Sequence, residues 1–300
     1  MNHFQSFLLL LTVLLVSSNA SRALDCTNPN KVAYNITVSL SGGGNFTKIQ
    51  SAIDSIPPNN KQWIRIQISP ETYQEKITIP ENKSCIFLEG GVSGKTIIEW
   101  EDHANTGSSA TFTSSAENIV AKDITFKNTY NIPPRPESTV DLKQAVQWIS
   151  FFGDGQSIYE NCVINLTLGQ YLPEKDDGYI TAQKRNSSDD PSGFVFKYCV
   201  ITGSGKTYLG RAYGGYSRVI FLKSLLSDVV KPEGWNAWSY VNHEENIEYA
   251  EADCSGSGAD ARNRVAWEKK LSAAQLSQFV NLAYVDREGW ISKLPFLSFS

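Results

Sequence analysis

Short runs of alternating apolar and polar residues, separated by turn formers, fill the middle of this chain. Four of them are self-similar: ENIVAKDITFKN at 117–128, SIYENCVINLT at 157–167, GFVFKYCVITGSG at 193–205 and RVIFLKSLLSDVV at 218–230. Each opens on apolar alternation, carries a polar or charged residue near its middle, then a small or thiol residue, and closes on a second apolar pair. A period of two is the signature of strands that bury one face. From Cys199 to the matching Ser224 is one repeat of about 25 residues, within the range of stacked coils. One such coil cannot bury its own apolar face, whereas a stack of them builds a continuous core. The pattern predicts an all-β chain, a right-handed, single-stranded parallel β-helix.

Helical periodicity is confined to the ends. Apolar residues at Phe46, Ile49, Ala52, Ile53 and Ile56 predict a short amphipathic helix that stops at Pro57 and Pro58. LSAAQLSQFVNL at 271–282 predicts a second. Open solenoid ends expose unpaired strand edges, so both helices are expected as caps.

The first 26 residues change the picture of where the chain works. An apolar run from Phe7 to Val16 precedes small residues around Ala20. At roughly ten apolar residues it is too short to span a bilayer and reads as a secretory signal peptide over residues 1–23. The rest, 24–300, is expected to form one β-helix domain that is secreted and makes no membrane contact. Five glycosylation signals, at Asn35, Asn45, Asn82, Asn165 and Asn186, agree with export as a glycoprotein. A formal net charge of -4 with both signs interspersed argues against a nucleic-acid partner. Of the five cysteines, Cys162 and Cys199 end similar strands and could pair, while Cys26, Cys85 and Cys254 leave at least one thiol unpaired. No spacing suggests a metal site, and His103 and His243, the histidines left after signal removal, make a poor basis for a histidine triad.

Six longer segments resemble one family, the plant pectin methylesterases (pectinesterases). They are GGGNFTKIQSAIDSIP (42–57), TYQEKITIP (72–80), KTIIEW (95–100), GYITAQKR (178–185), YLGRAYGGYSRVIF (208–221) and VVKPEGWNAW (229–238), in family order from Val38 to Ser292. The resemblance implies a β-helix of the short form, without an inhibitor-like pro-domain, that works as a monomer in the cell wall. It implies hydrolysis of methyl esters in pectin homogalacturonan to pectate and methanol, with no cofactor or metal. A proteinaceous pectinesterase inhibitor is a candidate partner. In the family an aspartate in a motif like DFIFG attacks the ester carbonyl, and an aspartate in a motif like QDTL serves as general acid and then base. That division needs two carboxylates with separated pKa values. Glutamines donate to the developing oxyanion, an arginine in GRPW orients the nucleophile, and aromatic rings stack on the sugars.

Carried over residue by residue, the resemblance assigns Gln144, in QAV, to the first oxyanion glutamine and Arg211, in LGRAY, to the nucleophile-positioning arginine. Ala212 and Tyr213 stand where proline and tryptophan are usual, and Tyr213 keeps a ring for stacking. Trp238, in GWNAW, matches a cleft tryptophan, with Trp235 assigned to the core. Tyr73 is expected at the cleft rim, with Glu71 in place of a usual glycine.

The aspartates have no counterpart. QAVQWISFFGDGQSIYENC passes from the glutamine motif directly into the tail of the nucleophile motif, which puts Ile149 at the nucleophile position. The QDTL segment is absent, and about two coils of sequence are missing on the usual repeat length. Asp154 reads as a turn residue between two glycines. Asp123, Asp228, Asp176 and Asp177 lack the surrounding motif. Gln144 and Ile149 lie an odd number of residues apart, which reverses the face presented, so local misregister is expected at this join. Three readings result: the family's ester hydrolysis, a catalytically inactive secreted pectin-binding protein, or a structural cell-wall protein. The retained cleft residues weigh against the third.

Overall fold

The computed structural model describes residue 26 and residues 34–91, 95–101, 110–129, 149–167, 178–280 and 284–285. Strand β1 (Asn35–Val38) leads into helix α1 (Ile49–Ser55). Six coils of three strands follow. The first is β2 (Ile64–Ile68), β3 (Thr72–Gln74) and β4 (Ile77–Ile79); the second is β5 (Ile86–Gly90), β6 (Thr96–Trp100) and β7 (Phe112–Ser114). The third is β8 (Ile119–Lys122), β9 (Ile124–Asn128) and β10 (Ile149–Gly153); the fourth is β11 (Gln156–Glu160), β12 (Val163–Thr167) and β13 (Gly178–Gln183). The fifth is β14 (Gly193–Lys197), β15 (Val200–Ser204) and β16 (Thr207–Ala212); the sixth is β17 (Arg218–Leu222), β18 (Leu225–Leu226) and β19 (Trp235–Asn236). Strand β20 (Glu248–Ala252) and helix α2 (Ala273–Val280) close the described chain.

Corresponding strands stack in parallel into three sheets. One runs β1-β2-β5-β8-β11-β14-β17-β20, the second β3-β6-β9-β12-β15-β18 and the third β4-β7-β10-β13-β16-β19. This is a parallel β-helix, and the four self-similar segments are its coil-forming strand pairs. The polar residue at the middle of each is a turn between first and second sheets. Asp123, Asn161, Tyr198, Lys223 and Asp253 all take left-handed backbone, with φ of 57°, 53°, 54°, 47° and 51°. Their N–H groups bond to the next coil: Asp123 to the Glu160 carbonyl at 3.1 Å, Asn161 to Lys197 at 3.0 Å, Tyr198 to Leu222 at 3.0 Å and Lys223 to Ala252 at 2.8 Å. Asn and Asp tolerate this conformation, whereas at Tyr198 and Lys223 it costs about 1–2 kcal/mol each, offset by the ladder bond.

Register carried coil to coil turns alternation into columns. Tyr159, Phe196 and Phe221 are Cα partners in successive strands. Their rings stack at 4.6 Å with interplanar angles of 14° and 8°. Phe151 joins edge-on to Tyr159 at 4.6 Å. Trp235 is buried in this same core.

Strand β10, just beyond the join, is in register with both neighbours, while the join itself, where misregister is expected, lies outside the described residues. Ile149 through Gly153 pair with Tyr179 through Gln183, and Phe151 and Phe152 pair with Phe112 and Thr113. Gly153 makes this possible: its φ is 133°, and a Cβ there would lie 1.9 Å from the Ser114 carbonyl oxygen. Residues 141–148, with Gln144, lie outside the described residues, as do residues 1–23.

Helix α1 caps the N-terminal end as expected, burying Ile49, Ala52 and Ile53. Lys48, at its N-cap, makes no side-chain capping bond. Glu75, from the TYQE motif one coil away, supplies the cap: its carboxylate accepts from the Ile49 and Gln50 N–H groups at 2.8 and 2.9 Å. At the other end Lys83 Nζ donates to the carbonyls of Ile53, Asp54 and Ile56 at 3.1, 2.7 and 2.7 Å. Both charges complement the helix dipole.

Two expectations are corrected. Helix α2 does not cover a solenoid end. Phe279, Leu271 and Leu276 pack on the outer face of the long first sheet with Phe87, Val120, Ile158, Val195 and Ile220. Strand β20 already extends that sheet, and its outward apolar column is the larger surface in need of cover. The disulfide joins Cys26 to Cys85, while Cys162 and Cys199 are free and buried. These two thiols follow the left-handed turns of adjacent coils and donate to backbone carbonyls, Cys162 to Ala121 at 3.5 Å and Cys199 to Tyr159 at 3.3 Å.

The borrowed helix cap gives a direct test. Glu75→Ala should lower stability by about 1–2 kcal/mol, with Glu75→Gln intermediate. The readout is the unfolding midpoint by circular dichroism, and an unchanged midpoint in both variants would remove Glu75 as the cap.

Candidate functional site

The outer face of the third sheet holds the candidate site. Its strands run in register, so Phe152, Ala182, Arg211 and Asn236 form one row, and Ile149, Tyr179 and Tyr208 form another. Gly210 lies close against the core: a Cβ there would meet Thr181 Oγ1 at 2.3 Å and the Trp235 ring at 3.3 Å. Trp238 follows β19 with a φ of 53°, and its N–H donates to Asn236 Oδ1 at 2.7 Å.

These local geometries converge on Arg211. Its guanidinium carbon lies 4.1 Å from the Trp238 ring centre, 4.8 Å from Tyr179 and 5.9 Å from Tyr213. Tyr179 stacks on Tyr208 at 5.5 Å and 13°. Lys231 Nζ lies 4.8 Å from the Tyr208 ring centre, so the stacked pair has a cation at each end. Phe152 meets Tyr213 edge-on at 5.1 Å. Tyr213 and Trp238 are each 37 % exposed and form the outer wall.

Arg211 itself is fully buried, and among the described residues none of its Nε, Nη1 and Nη2 atoms has a hydrogen-bond partner. Among the described residues it also makes no ion pair, in contrast to Arg65, Arg185, Arg218 and Arg264, which all face glutamates. Burial pulls the Arg211 guanidinium below its usual pKa, and the neighbouring Tyr179, Tyr213 and Tyr249 partly oppose that. Cation–π contacts stabilise a desolvated guanidinium by about 2 kcal/mol each, less than the cost of an uncompensated buried charge.

The structure thus brings together Arg211, Tyr213 and Trp238. Ile149 begins β10 as the Cα partner of Tyr179, whose ring borders the Arg211 guanidinium. Tyr73 requires a correction, because it is not at a cleft rim. It is the inward residue of a three-residue strand in the second sheet, fully buried, its hydroxyl 3.2 Å from the Ser69 carbonyl and the Glu71 carboxylate. Glu71 in turn binds the Leu40 and Ser41 N–H groups at 2.8 and 3.1 Å and so braces the 39–41 turn. Asp123 occupies a left-handed turn, Asp154 a bend beyond β10 and Asp228 an exposed turn. Tyr179, Tyr208 and Phe152 were not singled out from the sequence. The signal for Tyr179 was its place in the GYITAQ strand, next to the LGRAY strand in the repeat order. Among the described residues no group of three or more His, Cys, Asp or Glu side chains could hold a metal ion.

A parallel β-helix with an arginine buried behind aromatic rings on one sheet face defines the class of protein. The Pectinesterase family model matches residues 35–147 and 137–288, and the chain belongs to the pectinesterase family, whose members are carboxylic ester hydrolases. Putative pectinesterase 10 of Arabidopsis thaliana is 42 % identical over 302 aligned positions, covering 89 % of this chain and 89 % of the relative. The solved pectin methylesterase from carrot, at 22 % identity, covers 90 % of this chain and 98 % of its own with a TM-score of 0.57. A pectin methylesterase solved in complex with a hexasaccharide, at 18 % identity, covers 89 % of this chain and 100 % of its own with a TM-score of 0.52. Both solved structures share the fold.

An uncompensated buried charge should be a stability liability. Arg211→Met keeps the side-chain volume and removes the charge, so it should raise stability by about 1–4 kcal/mol. Chemical denaturation reads this as a higher midpoint. A loss of the size caused by truncating a packed core residue would show that Arg211 is compensated after all.

Proposed function

We propose that this chain is a secreted, pectin-binding member of the pectinesterase family that has lost ester hydrolysis. The observation that carries this reading is Arg211: the residue matching the nucleophile-positioning arginine is buried with no carboxylate beside it among the described residues. The nucleophile position is held by Ile149, an apolar residue that cannot attack an ester carbonyl. The family match supports a missing segment, because it falls into two pieces that meet at 137–147, just ahead of β10. So does the alignment to the Arabidopsis relative, whose 302 positions cover only 89 % of a 300-residue chain and therefore carry gaps on this chain's side.

Binding needs less than catalysis. Tyr213 and Trp238 are half-exposed rings available for sugar stacking, and the pectin methylesterase solved in complex with a hexasaccharide supports an oligosaccharide as the ligand. Loss of a covalent nucleophile leaves only the residual acceleration of binding and polarisation. The N-terminal apolar run supports secretion to the cell wall, and exposed Asn35, Asn45, Asn82 and Asn186 support glycosylation, with Asn165 half-buried in β12. A monomer is the form this reading assumes, with a proteinaceous pectinesterase inhibitor as candidate partner.

Methanol release from methyl-esterified pectin tests the loss of turnover. The purified chain should release none above background while still binding pectin, and a variant with the two missing coils inserted should gain release. Turnover by the unmodified chain would overturn the reading.

A further inference from the structure

We infer that the Arg211 site takes its counter-ion from the ligand, so that this protein selects the free carboxylate of de-esterified pectin over the methyl ester. The inference rests on the pectin-binding reading above and specifies which chemical form is bound.

The guanidinium carbon of Arg211 lies over the Tyr179 and Trp238 rings, which stand at 81° to each other. An aromatic ring brings no negative charge to the guanidinium, and Nε, Nη1 and Nη2 have no hydrogen-bond partner among the described residues. Buried charges in folded proteins are paired, and a planar fork of N–H donors is matched by a carboxylate through two parallel bonds. A methyl ester is neutral and presents one good acceptor, its carbonyl oxygen. It leaves the charge uncompensated, whereas a carboxylate neutralises it and accepts from two donors.

The surroundings fit a polymer of such groups. Lys231 sits at the far end of the Tyr179–Tyr208 stack, so two cations flank one aromatic platform on the same face. The ligand approaches through Tyr213 and Trp238, the exposed rings that screen Arg211 from solvent. Ile149 is on the register row of this platform, as the Cα partner of Tyr179. An apolar residue stands there, so the chain itself offers no competing carboxylate from that position.

Isothermal titration calorimetry on the full chain, with unesterified and fully methyl-esterified trigalacturonate as probes, tests the selection. The acid should bind about tenfold or more tighter than the ester, with the difference shrinking as salt rises. Arg211→Gln should reduce it to about twofold or less. Ile149→Asp, which introduces an acid at the Cα partner of Tyr179, should reduce it as well. If Arg211→Gln does not fold, the acid-to-ester ratio of the unmodified chain and the Ile149→Asp variant decide. Equal affinity for the two probes, or preference for the ester, overturns the inference and leaves pectin binding standing. Binding of neither overturns both.

Discussion

The left-handed turn between the first and second strands of each coil is the constraint on which the rest of this protein depends. It sends one N–H group into the carbonyl of the next coil, at Asp123, Asn161, Tyr198 and Lys223 in succession. That bond sets the register between coils, and a slip of one residue would exchange inside for outside along a strand. The column of Tyr159, Phe196 and Phe221 inside the stack and the row of Phe152, Ala182 and Arg211 outside it follow from one shared register. The same repetition explains why β10, at the end of the QAVQWISFFG stretch, keeps the coil geometry of its neighbours. Each coil contacts only its neighbours, so a change in one place need not propagate.

The site shows a conflict between stability and recognition. A buried guanidinium without a carboxylate is a poor structural element, and every other buried arginine described in the fold has a glutamate. Aromatic faces moderate the cost at Arg211 without removing it. What would be a defect in a core is, behind the half-exposed rings of Tyr213 and Trp238, the feature on which the proposed recognition of an anion rests. Under the proposed reading, the arginine matched by resemblance to the nucleophile-positioning residue acts on the ligand directly.

Much of this was legible along the chain, because short-range rules governed it. The coil repeats, helix α1 and the core position of Trp235 follow from periodicity, breaker residues and motif. Tyr73 misled because its motif matches the family while its strand, only three residues long, turns that one side chain inward. The cysteines misled in a related way. Cys162 and Cys199 end equivalent strands, yet both are buried thiols bonded to backbone carbonyls, and Cys26 reaches Cys85 across the flank of the first sheet. Helix α2 was recognisable as an amphipathic helix, but the surface it covers is assembled from five separate strands.

The sequence by itself determined the β-helix, its repeat length, the family, and the absence of an aspartate at position 149. All of these are properties of local pattern or of residue identity, and they need no knowledge of what lies across a sheet. Only the tertiary structure decided that Glu75 caps a helix one coil away, that Tyr179 and Tyr208 form a platform, and that Arg211 is buried without a partner among the described residues. Those facts depend on which residues of different coils come into register. Stacking brings together side chains separated by tens of residues, and alternation within any one strand carries no record of that pairing.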